Sequence, residues 1–150
     1  MQVNGFQLFQ HPLFKSQFEK LFAIAKKVRE QQPEKYKEHP TVKLLAKITD
    51  LISVEIPAEP GHDRWNQGNT LGKGYKHWKR AKFGRFRLFF RYGSTGENKA
   101  IVYAWINDEK TQRKEGDKND PYVLFAKGLE RGQPPDCFVA LLQASEELDL

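Results

Sequence analysis

The segment Arg85-Phe-Arg-Leu-Phe-Phe-Arg-Tyr92 alternates basic side chains with aromatic and aliphatic ones over most of its length. Successive side chains of a β-strand point to opposite faces of the sheet, so this pattern predicts a strand. The apolar residues at positions 86, 88 and 90 would enter the core. The opposite, open face would carry Arg85, Arg87 and Arg91, three like charges that repel each other unless a polyanion neutralises them.

The sequence around this strand predicts an antiparallel meander. We expect a neighbouring strand at Lys76–Phe83, joined to the first by a turn at Gly84. Gly93-Ser-Thr-Gly96 has the composition of a hairpin turn, and the mostly apolar run Ala100–Ile106 predicts the next strand.

Helical patterns lie on both sides of the meander. After a strand at Gly5–Gln10, apolar residues at three- and four-residue steps predict a helix from Pro12 to about Gln31 and a second over Leu44–Ile52. Pro40 either begins this second helix or kinks an earlier turn at Glu34–His39. Ile56–Gly74 and Asn107–Asp120 are interpreted as loops, and the C-terminal helices are predicted at Pro121–Leu129 and Pro134–Leu142. We therefore expect one α+β domain over residues 1–150, with an N-terminal strand, a two-helix hairpin and C-terminal helices, and with the helices packed on one face of an antiparallel sheet.

Composition excludes several classes of protein. Of the 150 residues, 39% are hydrophobic and 13% aromatic, which is too apolar for a disordered chain. The single cysteine, Cys137, and the absence of a signal-peptide pattern predict a cytoplasmic protein, and no apolar run approaches the ~20 residues of a membrane helix. The four histidines lack metal-ligand spacing, and no phosphate-binding loop or serine nucleophile motif is present, so we expect no metal and no cofactor.

The positive charge of the chain is concentrated in Lys73–Tyr92. This stretch holds eight of the 25 lysines and arginines and no carboxylate, which leaves 17 basic against 19 acidic residues elsewhere. If Lys79, Arg80 and Lys82 lie on the strand next to Arg87, they extend the basic patch across the sheet. Arginine grips phosphate through paired hydrogen bonds, so the patch indicates a nucleic acid partner. The alternative is a solvated strand whose basic stems cover apolar surface and block edge-to-edge pairing.

The C-terminal segment Asp136–Leu150 holds four acidic residues and no basic one. A solvated terminal helix is the interpretation we favour for it, with shielding of the basic patch within the same chain as the alternative.

Five separate motifs occur in an order that makes this sequence resemble the YhaV family. That family consists of toxins of type II toxin–antitoxin pairs and is related to the RelE-type ribonucleases. The motifs are Arg85–Tyr92, Asn107–Arg113, Lys118, Asp120-Pro-Tyr122 and Gly132-Gln-Pro-Pro135. The resemblance spans nearly the whole chain and implies a RelE-like fold, with the N-terminal helices against a curved antiparallel sheet.

The resemblance also implies an activity. Such toxins are metal-independent endoribonucleases that cleave mRNA, usually within the ribosome, and they inhibit translation and growth. The 2′-hydroxyl of the RNA acts as the nucleophile and leaves a 2′,3′-cyclic phosphate. A cognate antitoxin of the PrlF type would hold the toxin inactive in a hetero-oligomer.

By position in these motifs, the resemblance assigns a catalytic set of four residues. Lys82 and Arg87 match the basic residues that face the scissile phosphate, Arg113 matches an arginine after the last strand, and Tyr122 matches a tyrosine used for acid–base work or stacking. RNA-binding roles fall to Lys79, Arg80, Arg85, Arg91 and Lys118. The identity of the general base and the general acid stays open.

Other interpretations of these residues remain. Tyr122 and Phe125 also fit the core face of a helix, Lys118 fits a solvated loop lysine, and Trp78 and Trp105 fit sheet packing better than base stacking. A non-catalytic protein that binds RNA or the ribosome by charge is one alternative function. A gyrase-directed relative is another, because one scaffold hosts several activities.

Overall fold

A six-stranded sheet organises the protein, and the computed structural model describes all 150 residues. The strands are β1 (Gln2–Val3), β2 (Phe6–Gln10), β3 (Lys79–Phe83), β4 (Phe86–Thr95), β5 (Asn98–Ile106) and β6 (Glu146–Glu147). They lie in the order β1-β2-β5-β4-β3, with β6 also paired to β2. The pairing of β2 with β5 is parallel and the other pairings are antiparallel. The α+β class is confirmed, and the sheet is mixed where we expected it to be antiparallel throughout.

Five helices accompany the sheet: α1 (Pro12–Gln31), α2 (Pro40–Asp50), α3 (Ile56–Ala58), α4 (Pro121–Glu130) and α5 (Phe138–Gln143). A π-helical turn at Leu51–Glu55 joins α2 to α3, and short 3-10 turns occupy Tyr36–Glu38 and Asp63–Trp65. The first helix has the predicted bounds. The ring nitrogen of His11 caps it by accepting from the backbone N–H of Leu13, and Pro12 stands at its first position.

One face of the sheet packs against α1 and α2. Phe14 and Ile48 from these helices are fully buried with Leu88, Phe90 and Tyr103 of the sheet, all in one continuous cluster. The two-helix hairpin is therefore confirmed, as are Leu88 and Phe90 among the core residues predicted for β4, whereas Phe86 is only partly buried.

The other face of the sheet is covered as well, by α4, α5 and Trp78. The Phe89 ring stacks on Phe125 of α4 with ring centroids 4.2 Å apart, and Leu141 of α5 is fully buried in the same cluster. The prediction that the helices lie on one face is therefore wrong. The reason is that β4 and β5 carry large apolar residues on both sides, such as Phe89 and Val102, so both faces need cover. The prediction that Trp78 packs in the core is confirmed.

The predicted open face of arginines is also corrected. Arg85 lies in the turn before β4, and Arg91 is half-buried beneath the C-terminal segment. The Arg91 guanidinium donates to the backbone carbonyl of Asp136 and lies over the rings of Trp78 and Phe138. Burial lowers the pKa of Arg91 from its ordinary value. Of the three, only Arg87 projects from the body of the strand toward the site described below.

The acidic C-terminal segment is not a solvated helix. Only Phe138–Gln143 is helical, and Glu146–Glu147 forms β6 beside β2. Leu148 is buried in the first core cluster, and the N-terminal amine donates to its carbonyl. Within this segment, Asp136 covers Arg91 by accepting a hydrogen bond from its guanidinium at the backbone carbonyl. The other three acidic residues, Glu146, Glu147 and Asp149, lie elsewhere.

Several element bounds differ from the predicted ones. β3 begins at Lys79 instead of Lys76, and β4 continues to Thr95, so the hairpin turn falls at Gly96-Glu97. The loop Ile56–Gly74 is anchored to the body by buried Trp65 and Leu71. None of the helices is both long enough and apolar enough to cross a membrane.

Candidate active site

Tyr122 stands at the centre of the candidate site, at the start of α4. Asp120 caps this helix by accepting from the backbone N–H of Tyr122, and Pro121 occupies the first helical position. The ring of Tyr122 packs edge-on against Phe89, with centroids 5.6 Å apart, and only 8% of the residue is exposed. Tyr122 and Phe125 therefore do belong to the core face of a helix, as the alternative interpretation had it. The Tyr122 hydroxyl nevertheless reaches the sheet surface at Arg87.

Arg87 of β4 is held against that hydroxyl. Its Nε donates to the Tyr122 Oη at 3.1 Å, and its Nη1 donates to the carbonyls of Gly84 and Phe86, each at 2.8 Å. These acceptors are all neutral oxygens, and no carboxylate forms an ion pair with Arg87. The guanidinium is thus fixed in place while its positive charge stays uncompensated.

Arg113 approaches the same tyrosine from the loop after β5. Its guanidinium carbon lies 5.0 Å from the centre of the Tyr122 ring, and the corresponding distance for Arg87 is 5.8 Å. The backbone N–H of Arg113 donates to the carbonyl of Arg85 at 2.8 Å, which fastens the loop to the start of β4. Two arginines from separate segments therefore meet at one hydroxyl-bearing ring.

Asp120 holds Arg113 in this position. Its carboxylate is almost completely buried, pairs with Arg113 and also accepts the backbone N–H of Lys114 at 2.8 Å. The hydrogen bond from Asp120 raises the pKa of the Arg113 guanidinium above its ordinary value, with burial acting in the opposite direction. Sequence analysis gave Asp120 no role. An aspartate directly before a proline is a typical signal for the start of a helix, so the capping role of Asp120 is predictable from the sequence. Its contact with Arg113 has no local sequence signal.

Asn107, directly after β5, is a second residue that sequence analysis missed. It is 2% exposed, and its side-chain amide bonds the backbone of Arg85, Arg87 and Thr111. No feature of the sequence distinguishes it from the other polar residues of the loop.

The remaining predicted residues divide by location. Lys82 lies directly opposite Arg87 in the β3–β4 ladder and is exposed on the same face. Like charges in such a pair destabilise a sheet, and neither side chain has a carboxylate partner. Arg80, two residues before Lys82 on β3, lies on the same face opposite Phe89, and it donates to the carbonyl of Asn66. Arg85 is exposed in the adjoining turn.

Three predicted RNA-binding residues do not join this group. Lys79 alternates with Arg80 and so points to the other face of β3, where it binds the Asn66 side chain. Lys118 is exposed in the loop before α4. Arg91 is occupied by the C-terminal segment, as described above. The structure also contains no group of three or more His, Cys, Asp or Glu side chains placed to hold a metal ion.

Comparison with known proteins identifies the family of this chain. Residues 8–146 match a family model described as a toxin with endonuclease activity, of a toxin–antitoxin system. The chain belongs to the YhaV toxin family. It is 40% identical over 149 residues to Toxin YhaV of Escherichia coli O6:H1, and 39% identical to Ribonuclease toxin YhaV of E. coli K12. Each alignment covers 97% of this chain and 96% of the relative. No solved structure matches the chain significantly.

Membership of the YhaV family defines the general activity. The chain is the toxin, with endonuclease activity, of a toxin–antitoxin system, and such a system includes a cognate antitoxin as its partner. The residues that carry this activity and the nucleic acid that it cuts are the subject of the following proposals.

Proposed function

We propose that this toxin is a metal-independent endoribonuclease that cleaves mRNA during translation on the ribosome, and so inhibits translation and growth in the cytoplasm. The observation that carries the proposal is the convergence of Arg87 and Arg113 on Tyr122. The printed name of the K12 relative, a ribonuclease toxin, supports RNA as the substrate.

The proposed reaction uses the RNA's own 2′-hydroxyl as nucleophile. Its oxygen attacks the adjacent phosphorus, the bond to the 5′-oxygen breaks, and the products are a 2′,3′-cyclic phosphate and a 5′-hydroxyl. Three tasks follow: removal of the 2′-hydroxyl proton, stabilisation of the negative charge that builds on the phosphorane, and protonation of the leaving oxygen.

Arg87 and Lys82 are suited to charge stabilisation. They lie side by side on adjacent strands, neither is neutralised by a carboxylate, and Arg87 is held rigid by three hydrogen bonds. A preorganised cation stabilises a developing charge without the cost of reorganisation. Arg113 adds a third positive charge, but its pairing with Asp120 makes it a weaker phosphate ligand.

Tyr122 is suited to proton transfer. Its oxygen accepts from Arg87, so the phenolic proton remains available for donation to a phosphate oxygen or to the leaving oxygen. We assign it the acid role on this geometry. RNA is then docked beside the site by half-buried Arg80 and exposed Arg85, and further away by exposed Lys118 in the loop before α4.

The antitoxin is expected to neutralise the same charges. We propose that a PrlF-type partner forms a hetero-oligomer with the toxin by laying an acidic segment across Arg85 and Arg87. The complex should therefore weaken as salt concentration rises. A dissociation constant that does not change between low and high salt would place the antitoxin elsewhere.

The test is cleavage of an mRNA with mapping of the cut ends, in a reconstituted translation reaction and on the purified mRNA, the latter both with Mg²⁺ and with EDTA. Wild type should cut, while Arg87→Ala, Arg113→Ala and Tyr122→Phe should cut slowly or not at all. Lys127→Ala, an exposed residue of α4, is the matched control and should behave as wild type.

The outcomes separate the alternatives. Cuts that appear only during translation establish ribosome dependence, and cuts in EDTA establish independence from metal. Binding to RNA or ribosomes without cuts would favour a non-catalytic protein. Gyrase-linked DNA breaks with intact mRNA would favour the gyrase-directed alternative.

A further inference from the structure

The side chain of Asn107 lies where the ladder between β4 and β5 ends. Leu88 and Ile106 form the last pair of that ladder, so the backbone of Arg85–Arg87 continues past it without a partner strand on this side. The Asn107 amide fills the gap. Its Oδ1 accepts from the backbone N–H of Arg87 at 2.8 Å, and its Nδ2 donates to the carbonyl of Arg85 at 3.1 Å.

The same amide also fastens the loop that carries Arg113. Its Nδ2 makes a second hydrogen bond, to the carbonyl of Thr111 at 2.7 Å, and the Arg85 carbonyl accepts a further bond from the backbone N–H of Arg113. The donor and acceptor ends of Asn107 are set by these partners, because an N–H requires an acceptor and two carbonyls require donors. A carboxylate of the same shape keeps the first bond only, and alanine keeps none.

We propose that Asn107 is a positioning residue that sets the spacing between Arg87 and Arg113 at the reacting phosphate. This inference rests on the proposed function, because it assumes that both arginines act there. Asn107 bonds the backbone N–H of the residue whose guanidinium contacts Tyr122. A shift of that backbone is therefore passed on to the guanidinium.

The expected effect is on rate rather than on binding. A misplacement of about 1 Å in a catalytic group lowers a rate about 100-fold, so Asn107→Ala should lower the saturated cleavage rate by about 10- to 100-fold. The exposed cations Lys82 and Lys118 make no hydrogen bond to Asn107 and are untouched by this change. The toxin concentration that gives half-maximal cleavage should therefore change by about threefold or less.

The experiment measures cleavage rates in a translation reaction with the toxin in excess over ribosomes. The matched control is Tyr103→Phe in β5, the strand that Asn107 follows. It removes a fully buried hydroxyl that donates to the Ile52 carbonyl at 2.7 Å. Rates are expressed per folded molecule. If Asn107→Ala does not fold, Asn107→Asp replaces it, because it keeps the shape and the acceptor.

The decisive comparison is a double-mutant cycle with Arg87→Ala. If Asn107 acts through Arg87, its substitution should have little further effect once the Arg87 side chain is gone. Fold-losses that multiply, or a loss no larger than that of Tyr103→Phe, would overturn the positioning role and leave the proposed function standing. If Arg87→Ala itself cleaves at the wild-type rate, the proposed site and this inference both fail.

Discussion

Replacing Asp120 by asparagine should loosen both the start of α4 and Arg113. Asp120 is buried and accepts from the backbone of Tyr122 and Lys114 and from the Arg113 guanidinium. Asparagine keeps one neutral oxygen, so the Lys114 N–H and the Arg113 guanidinium, which share Oδ2 of Asp120, lose their acceptor. Hydrogen bonds to charged groups contribute about 1.5–3 kcal/mol each, and the Arg113 side chain, which is 29% exposed, can bond water instead, so we expect the free energy of unfolding to fall by about 2–4 kcal/mol. With a urea dependence of about 2 kcal/mol per molar, the unfolding midpoint should fall by about 1–2 M.

The assay pairs urea unfolding with the cleavage rate of the folded fraction. The rate should fall about 10- to 100-fold because Arg113 is no longer fixed over Tyr122. Asp117→Asn is the control: that carboxylate lies in the same loop, accepts the backbone N–H of Asn119 at 2.7 Å through an oxygen that asparagine keeps, and reaches Lys114 only at 4.0 Å, so its effect should stay within about 0.5 kcal/mol. An Asp120→Asn protein as stable as wild type would refute the assignment of the carboxylate. A destabilised protein with the wild-type rate would remove Arg113 from the mechanism.

Three further predictions concern single residues. Burial lowers the pKa of His11 in the folded protein below its value of 6.5 in the unfolded chain. The fold is therefore most stable above pH 6.5, where His11 is neutral in both states. Thermal stability should fall as pH drops through and below 6.5, and His11→Asn, which still caps α1, should remove that part of the pH dependence. Gly128→Ala should destabilise the protein by about 1–3 kcal/mol in chemical denaturation although alanine favours helices, because the new Cβ would lie 2.4 Å from the Gln133 carbonyl oxygen. Arg91→Met should lower the melting temperature and leave the cleavage rate of the folded protein unchanged, whereas Arg87→Met should slow cleavage strongly. Equal losses of cleavage in both variants would contradict the division between a structural and a catalytic arginine.

Local features of the sequence predicted the helices and strands well where the signal is contained in neighbouring residues. The start of α1 is encoded by His11-Pro12, and its apolar spacing extends to the observed end at Gln31. The strand at Phe86–Thr95 was predicted from alternation as Arg85–Tyr92, so its start was placed one residue too early and its C-terminal end three residues too early.

The covering of the second face of the sheet was not predictable in the same way. Phe89 lies on the same face of β4 as Arg87 and Arg91. Because Phe89 follows Leu88 directly, the sequence shows only that both faces of the strand are apolar at this point. Which segment covers Phe89 depends on Phe125, far along the chain. The burial of Arg91 follows from that long-range packing, as does the departure of the C-terminal segment from a solvated helix.

The candidate site shows the same limit. Arg87, Arg113 and Tyr122 were chosen by resemblance, and the structure brings them together. Asn107 and Asp120 hold them there through buried hydrogen bonds between segments that are distant in sequence or folded back by a loop. The sequence of a loop does not show which distant groups its polar residues will bond. The contacts by which Asn107 and Asp120 position the site could therefore not be predicted.

The most direct test of the central claim is the chemistry of the cut ends. We predict that mRNA from a translation reaction with wild-type toxin yields upstream fragments ending in a 2′,3′-cyclic phosphate, and that Arg87→Ala yields few or none. Upstream fragments ending in a 3′-hydroxyl, or equal cutting by both proteins, would contradict the account.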